Sequence, residues 1–194
     1  MNKVTMGPLS LLYPKPAVLI GTSVNGKANF LVATCVGVVC TDPPMISVSI
    51  KPDRYSYTGI KQNGSFSVNI ASIDQVEEMD YCGVVSGAKT DKMEICGFNV
   101  FYGVLQTPMV EQCPVNIECT VIHFIKLGSH DIFIGRIEQT YVSENCLTDG
   151  KADIAKIKPI VYSADPTRDY YSVGDRVGKA FVSGKKLSGT NLHG

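Results

Sequence analysis

Residues 17–39 read AVLIGTSVNGKANFLVATCVGVV, and this stretch decides the fold class. Ala17 to Thr22 is a short apolar run, and Asn25-Gly26 follows it closely. Asn-Gly supplies the positive φ of a tight two-residue turn, so the chain is expected to fold back as a hairpin. Phe30 to Val39 is the returning apolar segment, with a glycine in its middle. Beyond it, Asp42-Pro43-Pro44 interrupts the regular backbone, because proline has no amide to donate. Met45 to Ile50 sets Ile46, Val48 and Ile50 against Ser47 and Ser49. That period of two predicts a strand with one buried and one polar face. Ser65 to Ile70 (SFSVNI) repeats the pattern.

The connections carry helix signals. Pro52 and Asp53 open a helix expected to run to about Gln62, with Asn63-Gly64 closing it. Ser72 with Gln75 makes a capping box, followed by Ile73, Val76 and Met79 at helical spacing. Asp74, Glu77, Glu78 and Asp80 read as a solvated acidic face, and residues 86–92 (SGAKTDK) as a polar loop. Val115 to Leu127 and Ile132 to Val142 are two longer apolar segments, expected to pair as a hairpin around Gly128-Ser129-His130-Asp131. Pro159 to Tyr162 adds one strand, and from Asp165 the tail reads as a lid or an arm over another surface. Many short strands with a few helices at their connections predict a mainly β, antiparallel barrel.

Composition narrows the function classes. The chain has 194 residues, 44% of them hydrophobic, enough for a single domain over residues 1–187 with a flexible tail at 188–194. Eighteen Lys and Arg balance eighteen Asp and Glu, which argues against nucleic acid as the main partner while leaving room for a local basic pocket. No apolar stretch is long enough to span a membrane, and the N-terminus lacks a signal-peptide core, so a cytoplasmic location is expected. The seven cysteines form no Cys-x-x-Cys pair and lie far from the three histidines in sequence, so no metal site is expected. No Gly-x-Ser-x-Gly and no Gly-x-Gly-x-x-Gly occurs, which removes the esterase elbow and the dinucleotide fingerprint. Composition and periodicity stop at a barrel and name no reaction.

Eight short motifs in order go further: Gly7-Pro8, Tyr13-Pro14 with Pro16-Ala17-Val18, Gly21-Thr22, Asn25-Gly26-Lys27 with Asn29, Ala33-Thr34, Asp42-Pro43-Pro44-Met45, Ser86-Gly87 ahead of Asp91-Lys92, and the segment 128–135. A terminal Tyr170-Tyr171 with Gly174, Gly178-Lys179-Ala180-Phe181 completes the series. Over roughly residues 5–187 this order resembles the flavin reductase-like proteins, and within them the flavoredoxin type. The resemblance implies an FMN-binding split barrel, a homodimer with flavin near the subunit interface, and electron transfer through that flavin. It implies NADH or NADPH as donor in reductase members and redox protein partners in flavoredoxins, with free flavin or a partner protein as the expected acceptor.

Candidate residues follow from that resemblance and from chemistry. Ser49, Lys51, Arg54, Tyr57 and Thr58 stand at a strand-to-helix turn, where hydroxyls, cations and a helix N-terminus suit a phosphate. The competing reading is a solvated turn. Lys92 and Lys89, in the polar loop, would add cations. Asn29, Ala33, Thr34 and Cys35 match the segment that lies along the flavin ring, where small residues and an amide admit close approach. Cys35 is given contact and no redox role. His130 is the candidate at the reactive face, against the reading of an exposed turn residue. His123 is expected to pack within its strand and His193 to lie in a disordered tail. Tyr170 and Tyr171 are read either as a stacking lid or as interface anchors. The alternatives to an oxidoreductase are a flavin-storage module, or another ligand such as haem on the same barrel, with His123 or His130 as axial ligand.

Overall fold

The computed structural model describes residues 1–187; the expected flexible tail at 188–194, with His193, lies outside the described residues. In chain order the strands are β1 (Lys15–Pro16), β2 (Val18–Val24), β3 (Lys27–Ala33), β4 (Val36–Thr41) and β5 (Pro44–Ile50). Helix α1 (Tyr55–Asn63), β6 (Ser65–Ile70), α2 (Val76–Val84) and α3 (Lys92–Cys96) follow. Then come β7 (Val100–Tyr102), β8 (Pro108–Val110), β9 (Val115–Lys126), β10 (Asp131–Val142), β11 (Leu147–Thr148) and β12 (Lys151–Ala152). The last are α4 (Ile154–Ile157), β13 (Ile160–Tyr162) and β14 (Tyr170–Ser172).

A seven-stranded antiparallel sheet, ordered β3-β2-β6-β9-β10-β5-β4, forms the body. Its edge strands β3 and β4 are joined directly through Thr34-Cys35, so the sheet curls back on itself with one open seam. The Asn25-Gly26 turn is as expected, with φ of 51° and 76°, and it sets Val24 opposite Lys27. In β2 and β3 successive side chains enter different cores. Val18, Ile20, Leu31 and Ala33 meet Val48, Ile60, Phe66 and Phe133 inside the barrel. Leu19 and Phe30 point the other way, onto Met79 and Cys82 of α2 and Met93 of α3. Burial on both faces explains why 17–21 and 30–33 read as continuous apolar runs rather than as alternations.

Helix α1 begins two residues after Asp53 and ends at Gly64, whose left-handed φ of 62° closes it on Ile60. The Ser72–Gln75 box is present but caps a short 3₁₀ turn that leads into α2. The β9–β10 hairpin forms as expected. The polar loop at 86–92 is followed by the short helix α3, and β7 and β8 make a further hairpin; neither carried a periodic signal. Among the described residues, no helix is long and apolar enough to cross a membrane, and no group of three or more His, Cys, Asp and Glu could hold a metal ion.

Candidate functional site

Strand β3 lies along one wall of a trough made of three adjoining recesses of about 160, 130 and 210 Å³. Leu31 and Arg54 are shared by the first two, and Asn29, Gly87 and Lys92 by the last two. At about 3.3 Å per residue, the wall from Lys27 to Ala33 is roughly 20 Å long.

The first recess is lined by Ala33, Thr34, Cys35, Ser49, Lys51, Arg54 and His130. Separate stretches converge there through register. The amide of Ser49 donates to the carbonyl of Cys35 at 2.9 Å, tying the β3–β4 turn to the end of β5. Asp131 pairs with Ile50, so His130, one residue earlier, comes beside Lys51. The half-buried His130 ring shares a 2.9 Å hydrogen bond between Nδ1 and the Ser129 hydroxyl, which leaves Nε2 for the recess.

The middle recess opens between the start of α1 and the loop after α2, bordered by Arg54, Ser56, Ser86, Gly87 and Lys92. Arg54 is the N-cap residue of α1, so a cation and the helix's free amides share this opening. Asn29 Nδ2 donates to the Ser56 hydroxyl at 2.5 Å, fixing the amide in the wall. A Cβ on Gly87 would stand 1.8 Å from Asn29 Oδ1, so only glycine lets this loop lie against β3. Lys92 is buried, and its ammonium donates to the carbonyls of Phe30 and, at 2.9 Å, Cys82. Two of its three N–H groups are thereby used, and among the described residues no carboxylate pairs with it. Burial holds its pKa below the ordinary lysine value. The outer recess adds Lys27, Lys89 and Thr90. Of the two carboxylates on the trough, Asp53 and Asp91, the latter caps α3 through the amides of Met93 and Glu94.

The expected residues divide accordingly. Asn29, Ala33, Thr34, Cys35, Ser49, Lys51, Arg54, Lys92 and His130 line the trough. Tyr57 does not: it lies on the inward face of α1, packs edge-on against Phe133 at 5.5 Å, and donates to buried Asp131 Oδ2 at 2.6 Å. Thr58 projects outward from the same helix and bonds the Tyr55 carbonyl at 3.1 Å. Tyr170 and Tyr171 line a separate apolar recess of about 190 Å³ with Ile73, Val76 and Ile160. There Tyr170 donates to Asp80 Oδ1 at 2.9 Å and packs on Tyr162, so within this chain neither tyrosine covers the trough. The same bond engages Asp80, which the sequence reads as solvated. His123 is exposed rather than packed. Opposite Ile134 and Gly135 the register steps over Ile122, and that bulge turns His123 outward. Ser56, Ser86 and Gly87 enlarge the expected set; Ser86-Gly87 was visible as a motif, whereas nothing in the sequence marked Ser56.

Comparison with known proteins agrees with this fold. A flavoredoxin structure from Methanosarcina acetivorans is 39% identical, with a TM-score of 0.91 over 96% of this chain and 100% of that one. Flavoredoxin of Desulfovibrio vulgaris (Miyazaki F) is 36% identical, with a TM-score of 0.89 over 94% and 100%. An NADH-dependent flavin reductase from a Rhodococcus species is 26% identical over 55% of this chain and 56% of its own length. The flavin reductase like domain model matches residues 10–168, so the split barrel with its basic trough belongs to the flavin reductase-like family.

Proposed function

We propose that this protein is an FMN-binding oxidoreductase of flavoredoxin type, which takes electrons from a redox partner, in preference to NADH or NADPH, and passes them on through a non-covalently held flavin. The carrying observation is the trough itself: a chain with no net charge gathers Lys27, Lys51, Arg54, Lys89 and Lys92 along one groove that faces only Asp53 and Asp91. The donor set suits FMN. Arg54, Lys92, the Ser86 hydroxyl and the α1 amides would hold the phosphate, with Lys51 adjoining. Leu31, Ala33, Thr34 and Cys35 offer the small, partly apolar wall that a flat ring needs, and Asn29 offers an oriented amide between the two regions. When bound, the flavin supplies reversible acceptance of one or two electrons; the protein's part is binding, orientation and field.

His130 and Lys51 set a positive or proton-donating edge beside that wall. A reduced flavin is more anionic than an oxidised one, so this edge would favour the reduced form and hold a proton close to it. The carrier reading is preferred to the nicotinamide reductase reading because the flavoredoxins match nearly end to end, while the NADH-dependent reductase matches over about half. We also assign a second copy of the chain to the exposed apolar residues Val38 and Val39 on edge strand β4 and to Val177 and Phe181 of the C-terminal arm.

The test is an anaerobic titration of FMN-loaded protein with NADH and then NADPH, following the visible flavin band. No bleaching by either nucleotide, with full bleaching by dithionite, is the expected result; rapid bleaching by a nucleotide would make the protein a reductase instead. The phosphate assignment is checked with Arg54→Ala combined with Lys51→Ala. Loss of charge-assisted hydrogen bonds worth about 1.5–3 kcal/mol each predicts FMN binding weakened by at least tenfold. Unchanged affinity in a fluorescence titration would sink that assignment.

A further inference from the structure

Under the middle recess, two thiols from different helices face one another. Cys82 Sγ of α2 lies 4.0 Å from Cys96 Sγ, the last residue of α3. Cys82 is buried and borders the recess, while Cys96 is half-buried, with its thiol against the Glu78 carbonyl at 3.6 Å. The chain between them carries Ser86, Gly87, Lys89 and Lys92, the residues that form the far wall of the trough. Lys92 also holds the Cys82 carbonyl directly.

We propose that Cys82 and Cys96 are a thiol–disulfide exchange site, oxidised by small aliphatic disulfides, whose closure reshapes the adjoining trough. The accessible Cys96 attacks as thiolate on one sulfur of the small disulfide. A mixed disulfide forms and one small thiol leaves. Cys82 then attacks Cys96 Sγ, the protein disulfide forms, and the second small thiol leaves. Two protein thiols and one small disulfide become one protein disulfide and two small thiols, which carry away both protons. Burial pushes the Cys82 thiol up to about 12 and raises the less buried Cys96 thiol as well; the greater exposure of Cys96 makes it the opening nucleophile and Cys82 the resolving one. A disulfide needs sulfurs about 2 Å apart, so closure brings the two Sγ atoms roughly 2 Å nearer and ties the end of α3 to α2. That tie constrains Lys92 and the loop at 86–92, which lie between the two cysteines in the chain. The effect on the ligand rests on the flavin reading of the trough; the exchange chemistry does not.

The experiment incubates full-length protein with oxidised glutathione, alkylates the remaining thiols, and maps the peptides by mass spectrometry. A cross-link joining Cys82 to Cys96, lost on adding dithiothreitol and absent in Cys96→Ser, is the expected result. No cross-link, or one joining Cys82 to Cys113, which is buried in the same core, in both wild type and Cys96→Ser, would overturn the site. FMN fluorescence titration of the reduced and oxidised forms then reads the coupling, with affinity expected to fall at least threefold on oxidation. Equal affinity of the two forms refutes the coupling. Failure of the reduced form to bind FMN, with the cross-link present, refutes the flavin reading and leaves the exchange site standing.

Discussion

Tyr57 separates a structural reading from a ligand-binding one, and Tyr57→Phe tests it. The sequence places this tyrosine among phosphate-binding groups, whereas the structure turns it inward, 8% exposed, with its hydroxyl on Asp131 at 2.6 Å. Asp131 is 5% exposed, and the phenol is the side chain that satisfies its carboxylate. The substitution keeps the ring and its edge-on packing with Phe133 and Phe124. What is lost is one donor to a buried acidic group, a change worth about 1–3 kcal/mol when the partner is left unsatisfied. For a chain of this length about 1 kcal/mol moves the midpoint by roughly 2–4 °C, so thermal unfolding is expected several degrees lower. FMN affinity, read by fluorescence quenching, should stay within about twofold of wild type. Alkali gives a second check. The hydrogen bond to Asp131, then burial and the carboxylate's charge, push the phenol from its ordinary range up to about 12. The folded state therefore keeps a proton that the unfolded state gives up from about pH 10, so stability falls as pH rises from 10 to 12. Tyr57→Phe lacks that loss. An unchanged midpoint together with much weaker FMN binding would refute the reasoning and return Tyr57 to the trough.

The other predictions concern the trough directly. Gly87→Ala puts a methyl where Asn29 Oδ1 stands, so Asn29 and its bond to Ser56 must shift; FMN binding should weaken about tenfold or more with a smaller loss of stability, measured by titration and by urea unfolding. His130→Ala should leave FMN affinity within a few-fold and slow anaerobic reduction by dithionite or by a redox partner in stopped flow; unchanged rates would return His130 to an exposed-turn role. Lys92→Met removes a buried ammonium whose pKa burial has lowered. Below its folded pKa that ammonium costs stability, and the cost is relieved as pH rises toward the ordinary lysine value. The flavin-free wild type should therefore gain on Lys92→Met as pH rises toward the ordinary lysine value, and added FMN should flatten the difference.

How much the sequence disclosed depended on how local each cause was. The Asn25-Gly26 turn, the alternation in 45–50 and 65–70, and the Gly64 stop rest on neighbouring residues, and each stands where the pattern puts it. Helix α3, five residues long, has too few turns to show periodicity, and its Asp91 cap was hidden in a polar loop. Tyr57 was misread because Arg54 is the extended N-cap, outside the helix, so helical spacing does not set its direction: the cap lines the trough while Tyr57, inside α1, turns its ring to the core. His123 was misread because strand parity holds only until a bulge resets it. Tyr170 depends on pairing between β14 and β13 and on Asp80, ninety residues distant, which no window could reveal.

The trough exists because β3 is an edge. A strand paired on one side only presents backbone groups that invite another strand, and proteins have to cover or charge such an edge. Here β2 holds one side of β3, and the other side is met by side chains. Lys92 takes the Phe30 carbonyl, Ser56 ties down Asn29, and the chain leaves through Thr34-Cys35 into β4. Each of these contacts closes the edge against further pairing. Each also sets a donor in the same wall, since a lysine that satisfies a carbonyl has an N–H to spare and an amide fixed by its nitrogen keeps its oxygen aimed. The device that protects the edge thus supplies the cationic, hydrogen-bonding surface of the trough. The open seam of the barrel and the trough are then one feature with a single cause.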